Sequence, residues 1–426
     1  IYYIWNKNKI SSDLYKFLKK EKSNLSTTDK GVLINLIRAP FSYSKEDNAM
    51  GYPNIDFLYL NEEDMIAAGV KDMAGCVEAM EEMFKLMKIG DYRMGGANGN
   101  SHGCMVMFPE SSPFPEMPVD GPDRRFMAMP AYLGGKFDMA GMKWYGSNAQ
   151  NREKGLPRSI LTLILNDKDT GAPLAFMSAN ILSAYRTGAV PGVGFKYFAK
   201  EDADTIGIVG PGVMSKTALA AAMAVRPTIK TVKVKGRGKA SLDHFMEYVK
   251  KEYPGVMVYA VDSIEEAVRD SDIVSVSTSS PTGDPEQYPY IAEEWIKPGA
   301  IIESTAALRF DDDFIINRAR TVTDNIKLYE AWEEEMKPDA YNTIPIPAVR
   351  VEDLIADGRM KTEQIDDLGD VLLGKIPVHR KADEIVIYSV GGMPVEDIAW
   401  GTICYRNALE KGIGKKLNLW EQPQMV

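Results

Sequence analysis

The sequence has very little cysteine and histidine, with three residues of each among 426. The cysteines lack the paired spacing of a disulfide framework or a zinc ribbon, which excludes both classes of small domain. The histidines are equally scattered, so we expect no metal site. Unpaired, scarce cysteine is typical of the reducing cytoplasm, where we expect this protein. The three cysteines are Cys76, Cys104 and Cys404.

Positive charge is also in short supply, because 50 Lys and Arg stand against 60 Asp and Glu, a formal net charge of −10. An acidic chain lacks the basic face that nucleic acid or an anionic membrane surface requires. No apolar run approaches the roughly 20 residues that cross a bilayer. We therefore expect neither a nucleic-acid partner nor a membrane partner.

One stretch has the order of elements that builds a phosphate-binding site. An apolar strand at 205–209 leads into a glycine turn and then into an alanine-rich helix. The first glycine permits the tight turn, and the second lets the backbone approach a pyrophosphate that the free amides of the helix start would hold. A serine takes the third position of the fingerprint and is small enough for close helix packing. The residues predicted to bind a dinucleotide here are Gly210, Gly212, Val213, Met214 and Ser215.

The segments after this turn alternate between strand and helix, as a parallel doubly wound sheet demands. This context favours cofactor binding over a purely structural glycine turn. Ser277, Thr278 and Ser279, at the end of one strand, are expected to line the path of the cofactor near its ribose or ring. The strand patterns are 231–235, 256–261 and 272–277, and the helix patterns are 241–251 and 264–269.

The end of the second strand of this unit distinguishes NAD from NADP. An acidic side chain there would hold the ribose hydroxyls of NAD, but the chain has Lys235-Gly-Arg-Gly-Lys239 instead. An arginine flanked by lysines suits a 2′-phosphate, which a carboxylate would repel. We predict NADP, with NAD as the other possibility, and Arg237 as the phosphate contact. A solvated basic loop is the alternative interpretation of this segment.

The length and the 45% hydrophobic content suit a protein of two domains. Residues 1–49 differ from the rest, being rich in Lys, Asn, Ser, Ile and Tyr, and we expect a flexible leader there. A strand at 55–60 and a helix start at Asn61 would follow it. The turn at 166–171 predicts a hairpin, and the proline-rich stretch 108–122 predicts an extended loop over the surface or the site.

Several separated motifs follow one another along the chain: Lys143-Trp-Tyr, Gly155-Leu-Pro, Asp169-Thr-Gly-Ala-Pro-Leu174, Ala184-Tyr-Arg-Thr-Gly-Ala189, Gly210-Pro-Gly, Gly374-Lys-Ile-Pro, Asp383-Glu-Ile-Val and Ser389-Val-Gly-Gly-Met-Pro-Val-Glu-Asp397. Their order and spacing resemble the ornithine cyclodeaminase and mu-crystallin family over nearly all of residues 55–412. So many matches would not agree by chance, and the chain is similar to a divergent bacterial branch of that family.

The resemblance implies an α/β fold in which a Rossmann-type doubly wound nucleotide domain is inserted in an α+β substrate-binding and dimerisation domain. Residues 50–203 would form the first part of the substrate domain and 204–330 the NAD(P) domain. Residues 331–426 would return to complete the substrate domain. The resemblance also implies a homodimer with its active site in the cleft between the domains.

The resemblance further implies three substrate contacts. Arg186, in the Ala-x-Arg-Thr segment, would bind the substrate carboxylate, and Lys143 would lie beside the reacting carbon. An earlier basic contact of the family aligns best with Arg93. Without the resemblance, a helix cap or salt bridge would explain Arg186, and a surface position on a strand would explain Lys143.

Chemistry agrees with the roles of Arg186 and Lys143. A carboxylate removed from water is best held by a planar, bidentate guanidinium. A lysine beside that cation in a partly dry pocket would have its ammonium form disfavoured, which suits proton transfer at a substrate nitrogen. We therefore expect a cationic site. Asp397 would contact the cofactor or a loop, or cap a helix.

One position departs from the family. After the strand Ala300-Ile-Ile-Glu303, ornithine cyclodeaminases have an aspartate that acts on the substrate amine and on water, and Thr305 aligns with it here. Threonine cannot serve as a general base near neutral pH, so release of ammonia from ornithine is not expected. Substitution of this base by Glu303 or Asp311 is the weaker alternative.

We therefore predict an NAD(P)-dependent oxidoreductase that moves a hydride at the α-carbon of a small amino acid or imine bearing a carboxylate. Imine reductases and amino-acid dehydrogenases are the branches of the family that lack the aspartate. Two alternatives stay open: an ornithine cyclodeaminase-type ammonia lyase, and a catalytically weak NADP-binding protein. The presence of both Lys143 and Arg186 argues against a pure binding protein.

Overall fold

The computed structural model describes residues 54–279 and 283–425. The predicted leader, residues 1–49, lies outside these ranges. Contacts group residues 56–417 into one compact unit, which contains every element that positions the site. Ile55 and residues 418–425 belong to a second unit.

The strands are β1 (Ile55–Leu60), β2 (Tyr92–Met94), β3 (Cys104–Met107), β4 (Arg125–Leu133), β5 (Met139–Ser147), β6 (Ser159–Asn166), β7 (Pro173–Ser178), β8 (Thr205–Val209), β9 (Thr231–Lys235), β10 (Met257–Ala260), β11 (Ile273–Val276), β12 (Ile301–Ser304), β13 (Arg320–Thr323), β14 (Ile365–Asp367), β15 (Val386–Ser389) and β16 (Lys415–Trp420). The strand predicted at 55–60 and the hairpin of β6 and β7 are confirmed. The stretch 108–122 forms a loop, also as predicted.

The helices are α1 (Glu62–Ala67), α2 (Met73–Ile89), α3 (Asn180–Phe198), α4 (Val213–Val225), α5 (Lys239–Glu252), α6 (Ile264–Val268), α7 (Asp312–Asn317), α8 (Ile326–Glu335), α9 (Ala340–Thr343), α10 (Pro347–Ala356), α11 (Leu368–Leu372) and α12 (Pro394–Lys411). Across the described ranges, no helix has both the length and the apolar character needed to cross a membrane. The same residues hold no group of three or more His, Cys, Asp or Glu side chains arranged to bind a metal ion.

The first sheet is largely antiparallel. Its neighbouring strands run in the order β1-β7-β6-β5-β4-β2, and β3 also pairs with β4. Strands β1 and β7 pair in parallel. Buried and more open positions alternate along β4 and β5, as expected when one face of a sheet packs on a core. Lys143 lies on the buried face, between Met129 and Leu163 of the neighbouring strands.

The second sheet is parallel throughout, with strand order β10-β9-β8-β11-β12-β15-β13-β14. Apolar side chains are buried on both faces, for example Ile208 in one cluster and Val209 in another. Burial on both faces is characteristic of a doubly wound sheet covered by helices. The predicted α/β class is confirmed, because this sheet contains the alternating strands and helices that follow β8.

The parallel sheet continues past residue 330, where the sequence suggested its end. Strand β15 pairs in parallel with both β12 and β13, and β14 pairs with β13. Contacts back to the N-terminal part of the chain include those of α11 with α2, and α12 then contacts β4 and β5. The short, largely apolar segment Val386–Ser389 indicates in the sequence that the parallel sheet continues here, because a parallel strand buried on both faces has a continuous apolar pattern.

Helix α3 connects the two sheets and carries Arg186. It packs directly against α4, because a Cβ atom at Gly188 would lie only 2.4 Å from the Cβ of Thr217. A Cβ atom at Gly192 would lie 2.7 Å from the Cβ of Ala221. Glycine at these positions permits the close approach of the two helix backbones. The position of the glycine turn before α4 is thereby fixed relative to the arginine on α3.

Candidate active site

Lys143 and Arg186 meet at one carboxylate, that of Asp397. Lys143 Nζ donates to Asp397 Oδ2 at 2.7 Å, and Arg186 Nε donates to Asp397 Oδ1 at 3.0 Å. Arg186 Nη1 also donates to Glu396. The four side chains are buried, with at most 5% of each residue exposed. The structure therefore brings together the two basic residues predicted from the sequence, through a partner whose role the sequence left open.

The start of α12 explains how the two carboxylates come to lie here. Pro394 occupies the first turn of the helix, where its missing N–H is not needed. Glu396 Oε1 accepts from the backbone N–H of Met393 at 2.8 Å, which fixes the helix start. Asp397 follows in the same turn, where the positive end of the helix dipole favours a carboxylate. Its side chain then bridges β5 and α3.

The site is not the bare cationic pocket that the sequence led us to expect. The cations of Lys143 and Arg186 face the carboxyl groups of Glu396 and Asp397. Buried charges of one sign without partners would be strongly destabilising, and this explains the pairing. Burial raises the pKa of Glu396 to about 7, although Arg186 lowers it. With Glu396 protonated, the cluster carries one net positive charge, which a substrate carboxylate would balance.

Lys143 can exchange a proton near neutral pH. Burial and then the neighbouring Arg186 lower the pKa of Lys143 to about 8, although Asp397 raises it. The sequence predicted this direction from the same two causes. Ser183 on α3 is a second, longer partner, with its Oγ 3.4 Å from Lys143 Nζ. Two oxygen partners hold the amine in place and leave its charge state sensitive to pH.

His102 also belongs to this region, and sequence reasoning missed it. Its Nδ1 lies 2.7 Å from the carbonyl oxygen of Gly392, and its ring is tilted against Trp332 with centroids 5.8 Å apart. A side chain at Gly392 would come within 4 Å of both Arg186 Nη1 and His102 Cε1, so these two residues line the same space. Only its place in a glycine-rich segment distinguished this histidine in the sequence.

Arg93 does not lie with the cluster. Its exposed side chain donates to the carbonyl oxygens of Gly90, at 3.1 Å, and Tyr92. Arg93 lies opposite Tyr132 of β4. Lys143 lies opposite Met129, which is three residues before Tyr132 on β4. An odd separation along a strand places side chains on opposite faces. Arg93 and Lys143 therefore lie on opposite faces of this sheet, and a contact of Arg93 with the substrate stays a prediction.

The glycine turn approaches a neighbouring strand end closely at Gly210 and is open at Gly212. Gly210 has φ +95°, and a Cβ atom there would lie 2.4 Å from the carbonyl oxygen of Ser277. Gly212 precedes the first turn of α4, and nothing lies within 4 Å of its Cβ position. Ser215 is buried and its hydroxyl donates to the Gly210 carbonyl, while Val213 and Met214 open the helix. The turn and the helix start thus leave room for a phosphate.

A cavity of about 730 Å³ lies beside this turn. Arg237 Nη2 donates to the Ser279 carbonyl at 2.6 Å across one side of it. Arg152, which precedes β6, also lines the cavity and was not foreseen. Glu265 lines it too, but is ion-paired with Arg269. The predicted cofactor residues in its lining are Gly210, Gly212, Arg237, Ser277, Thr278 and Ser279. Their chemistry fits a dinucleotide: backbone amides for the diphosphate and guanidinium groups for a further phosphate.

Thr305 lies at the end of β12 and faces the same strand ends. Its Oγ1 is 2.7 Å from Ser277 Oγ. Two residues earlier, Glu303 is fully buried and accepts a hydrogen bond from Ser275 at 2.6 Å, and burial raises the pKa of Glu303 to about 8. Asp311 accepts from the hydroxyl of Tyr290 instead. Among the described contacts, neither carboxyl group bonds to Lys143 or Arg186.

Known proteins share this arrangement of sequence and fold. The model of the ornithine cyclodeaminase/mu-crystallin family matches residues 69–412. N-((2S)-2-amino-2-carboxyethyl)-L-glutamate dehydrogenase of Staphylococcus aureus is 26% identical, over 86% of this chain and 100% of that protein. Alanine dehydrogenase of Archaeoglobus fulgidus is 27% identical, over 86% of this chain and 99% of that protein.

A solved structure agrees with these relatives. An archaeal alanine dehydrogenase dimer with bound NAD superposes with a TM-score of 0.68 and 25% identity, over 86% of this chain and all of that chain. The match of the family model to most of the chain, together with this common fold, establishes the relationship. The chain belongs to the ornithine cyclodeaminase/mu-crystallin family.

Proposed function

We propose that the protein is an NAD(P)-dependent oxidoreductase that interconverts a small amino acid and its imine at the α-carbon. The observation that carries the proposal is the bridge from Lys143 through Asp397 to Arg186. It holds a proton-exchanging amine and a guanidinium at a fixed spacing in a buried site. Relatives that are dehydrogenases of amino acids support the same reaction class.

Arg186 and Lys143 have separate tasks in this reaction. No described residue hydrogen-bonds to Arg186 Nη2, so this amino group remains available for the substrate carboxylate. Lys143 Nζ gives a proton to the imine nitrogen in the reductive direction and takes it back in the oxidative direction. Asp397 keeps both groups oriented. When bound, the nicotinamide supplies or accepts the hydride.

The test of this function is a screen with NADPH. Cyclic imines and mixtures of 2-oxo acids with amines are added, and the absorbance of NADPH is followed. We expect oxidation of NADPH with carboxylate-bearing imines and none with matched imines that lack the carboxylate, since Arg186 needs its anion. Equal rates with both sets would contradict the proposed site. No turnover across the panel would favour a binding protein.

The same assay with ornithine and catalytic NAD(P) tests the ammonia-lyase alternative. The hydroxyl of Thr305, bonded to Ser277, offers no base for deamination near neutral pH. We therefore expect no proline. Steady formation of proline at about 1 s⁻¹ or faster would show that another group supplies the base.

We further propose that NADP is the preferred cofactor, with Arg237 at the 2′-phosphate. Support comes from the two arginines that line the cavity, Arg237 and Arg152, and from the lack of a carboxylate between Lys235 and Lys239 at the end of β9. Arg237→Asp should weaken NADPH binding by roughly tenfold or more and reverse the preference towards NADH, because a carboxylate repels the phosphate.

Fluorescence titration with both nucleotides measures this preference. Lys239→Ala is the matched control, because Lys239 is an exposed cation of the same segment that pairs with Asp243. The control should keep the preference for NADPH. Tighter binding of NADH than of NADPH by the unmodified protein would contradict the proposed preference for NADP.

We also propose a homodimer formed through the open face of the first sheet. Val106, Phe126, Trp144 and Ile160 are 39–51% exposed, and the rings of Phe126 and Trp144 stack with centroids 5.7 Å apart. The register places Val106 opposite Phe126, and both Phe126 and Ile160 opposite Gly146, so they share one face. A contiguous apolar patch of this kind marks an interface. The similar alanine dehydrogenase is a dimer, which supports the proposal.

Sedimentation should give about twice the chain mass of 47.3 kDa. Phe126→Asp should shift the protein towards a monomer, since a carboxylate buried in an apolar interface is strongly unfavourable. Ile89→Asp is the control, because Ile89 is 65% exposed at the end of α2 and away from this face. An unmodified protein that sediments as a monomer would contradict the proposal.

A further inference from the structure

The imidazole of His102 is held from two sides. Its Nδ1 lies 2.7 Å from the Gly392 carbonyl, and Trp332 on α8 packs against the ring. The turn that presents this carbonyl is itself fixed, because Asp324 accepts from the backbone N–H of Gly391 at 2.8 Å. A ring restrained in this way presents its remaining nitrogen in a defined direction.

The anchoring contact determines which nitrogen carries the proton. A carbonyl oxygen can only accept, so His102 Nδ1 must be the protonated nitrogen that donates to Gly392. In the neutral ring, Nε2 then has a free lone pair and acts as an acceptor. Among the described residues, none hydrogen-bonds to this Nε2. The acceptor is therefore available to a ligand.

The neutral form is the stable one at this position. Burial and the nearby cations of Lys143 on β5 and Arg186 on α3 lower the pKa of His102 to about 4, although the bond to Gly392 raises it. Arg125 on β4 acts in the same direction. The carboxyl groups of the cluster, on α12, are already paired with Lys143 and Arg186. His102 therefore remains an acceptor across the neutral pH range.

The ring also borders the space beside the substrate arginine. A Cβ atom at Gly392 would lie 3.2 Å from Arg186 Nη1 and 3.9 Å from His102 Cε1. Glycine, with φ +78°, keeps this space open. A ligand whose carboxylate binds Arg186 would thus have its neighbouring atoms beside the imidazole. For an α-amino or α-imino acid, the neighbouring polar atom is the nitrogen.

We propose that His102 is a substrate-contacting residue whose Nε2 accepts a hydrogen bond from the N–H of the substrate nitrogen, and that it selects substrates with such a donor over N-alkylated analogues without one. The inference rests on the proposed function. It assigns the nitrogen two contacts of opposite kind: Lys143 as the proton donor or acceptor, and His102 as a fixed acceptor. The preferred substrate class is then primary α-amino acids and those imines whose protonated nitrogen carries an N–H besides the hydrogen that Lys143 exchanges.

Two substitutions separate the roles of the two ring nitrogens. In His102→Asn the amide can keep the bond to Gly392 but has no acceptor at the Nε2 position. In His102→Gln the amide oxygen can reach the Nε2 position. We expect His102→Asn to lower kcat/KM for N–H substrates by roughly tenfold, mainly through KM, and His102→Gln to restore part of this loss. The affinity of the product amino acid for the complex with NADP, measured by calorimetry, should be highest for the unmodified protein, intermediate for His102→Gln and lowest for His102→Asn. This readout does not depend on turnover.

The matched probe is an N-methylated imine, whose protonated nitrogen carries only the hydrogen that Lys143 exchanges and no second N–H. The unmodified protein should discriminate against it by roughly tenfold, and His102→Asn should abolish that discrimination without changing thermal stability. If His102→Asn keeps its turnover and still discriminates against the N-methylated substrate, the role of His102 is overturned and the proposed function is not. Failure of the unmodified protein to turn over any imine overturns the proposed function instead, so the two outcomes are distinct.

Discussion

Replacing Lys143 with alanine should lower kcat by roughly 10²- to 10⁴-fold, because it removes the group that exchanges a proton with the substrate nitrogen. Cofactor affinity should stay nearly unchanged, since Lys143 lies on β5 and is not part of the nucleotide cavity. Steady-state kinetics with the best imine of the panel, together with fluorescence titration of NADPH, measure both effects.

The pH dependence adds a second signature of Lys143. Its pKa is lowered to about 8, so the protonated form, which the reductive direction needs, is lost as the pH rises through that value. Reductive kcat/KM should therefore fall above about pH 8, and the oxidative reaction should rise there. In Lys143→Ala this step should be missing from both profiles.

Lys136→Ala is the control for these measurements. Lys136 is an exposed lysine in the turn between β4 and β5, so its loss changes the charge of the same sheet without touching the site. Its turnover should match that of the unmodified protein. If Lys143→Ala also retains full turnover, the active site lies elsewhere in the molecule.

Replacing Arg186 with alanine should weaken substrate binding and destabilise the fold together. Loss of a desolvated partner of the substrate carboxylate should reduce binding by about 2 to 5 kcal/mol. The same change leaves the buried carboxyl groups of Glu396 and Asp397 with Lys143 as their main cation. Breaking a buried ion pair in this way lowers the free energy of unfolding by about 3 to 5 kcal/mol. Cofactor affinity of the folded protein should change little.

The sign of the pH dependence follows from Glu396. Burial already raises the pKa of Glu396 to about 7 in the folded protein, above its ordinary value of 4.5. The folded state therefore takes up the proton more readily, so the stability that Glu396 contributes is full below about pH 4.5 and is lost as the pH rises to about 7. Arg186 lowers the pKa of Glu396, so in Arg186→Ala this pKa should rise further and the loss of stability at high pH should be larger. Arg186→Ala should consequently be closer to normal stability at pH 5 than at pH 8, as denaturant titrations would show.

Two further variants separate binding from folding. Arg186→Lys keeps one positive charge and should preserve most of the stability, while it loses the planar fork that binds a carboxylate. Glu396→Gln combined with Arg186→Ala should recover stability at pH 8, because the uncompensated charge is gone. If Arg186→Ala unfolds at the same denaturant concentration as the unmodified protein at pH 8, the buried pairing described above is not present in solution.

Local patterns in the sequence were sufficient for much of the fold. The glycine turn at Gly210 and the strand and helix order after it follow from backbone rules that act within a few residues. Lys143 and Arg186 were also identified from short motifs. The lowered pKa of Lys143 followed because burial and a nearby cation act in the same direction.

The tertiary structure alone decided what those residues face. Asp397 lies 254 positions from Lys143, and no local pattern says that a helix start in the return segment places its carboxylate between a strand and a helix. The bond from His102 to Gly392, 290 positions apart, and the position of Arg93 on the opposite face depend on the sheet register in the same way. The sequence by itself determined the local elements, since these follow from short-range chemistry, and its motifs resembled a family in which Lys143 and Arg186 are predicted to contact the substrate. The pairing of charges and the choice of face required long-range packing, because burial forces each charge to find a partner wherever the fold provides one.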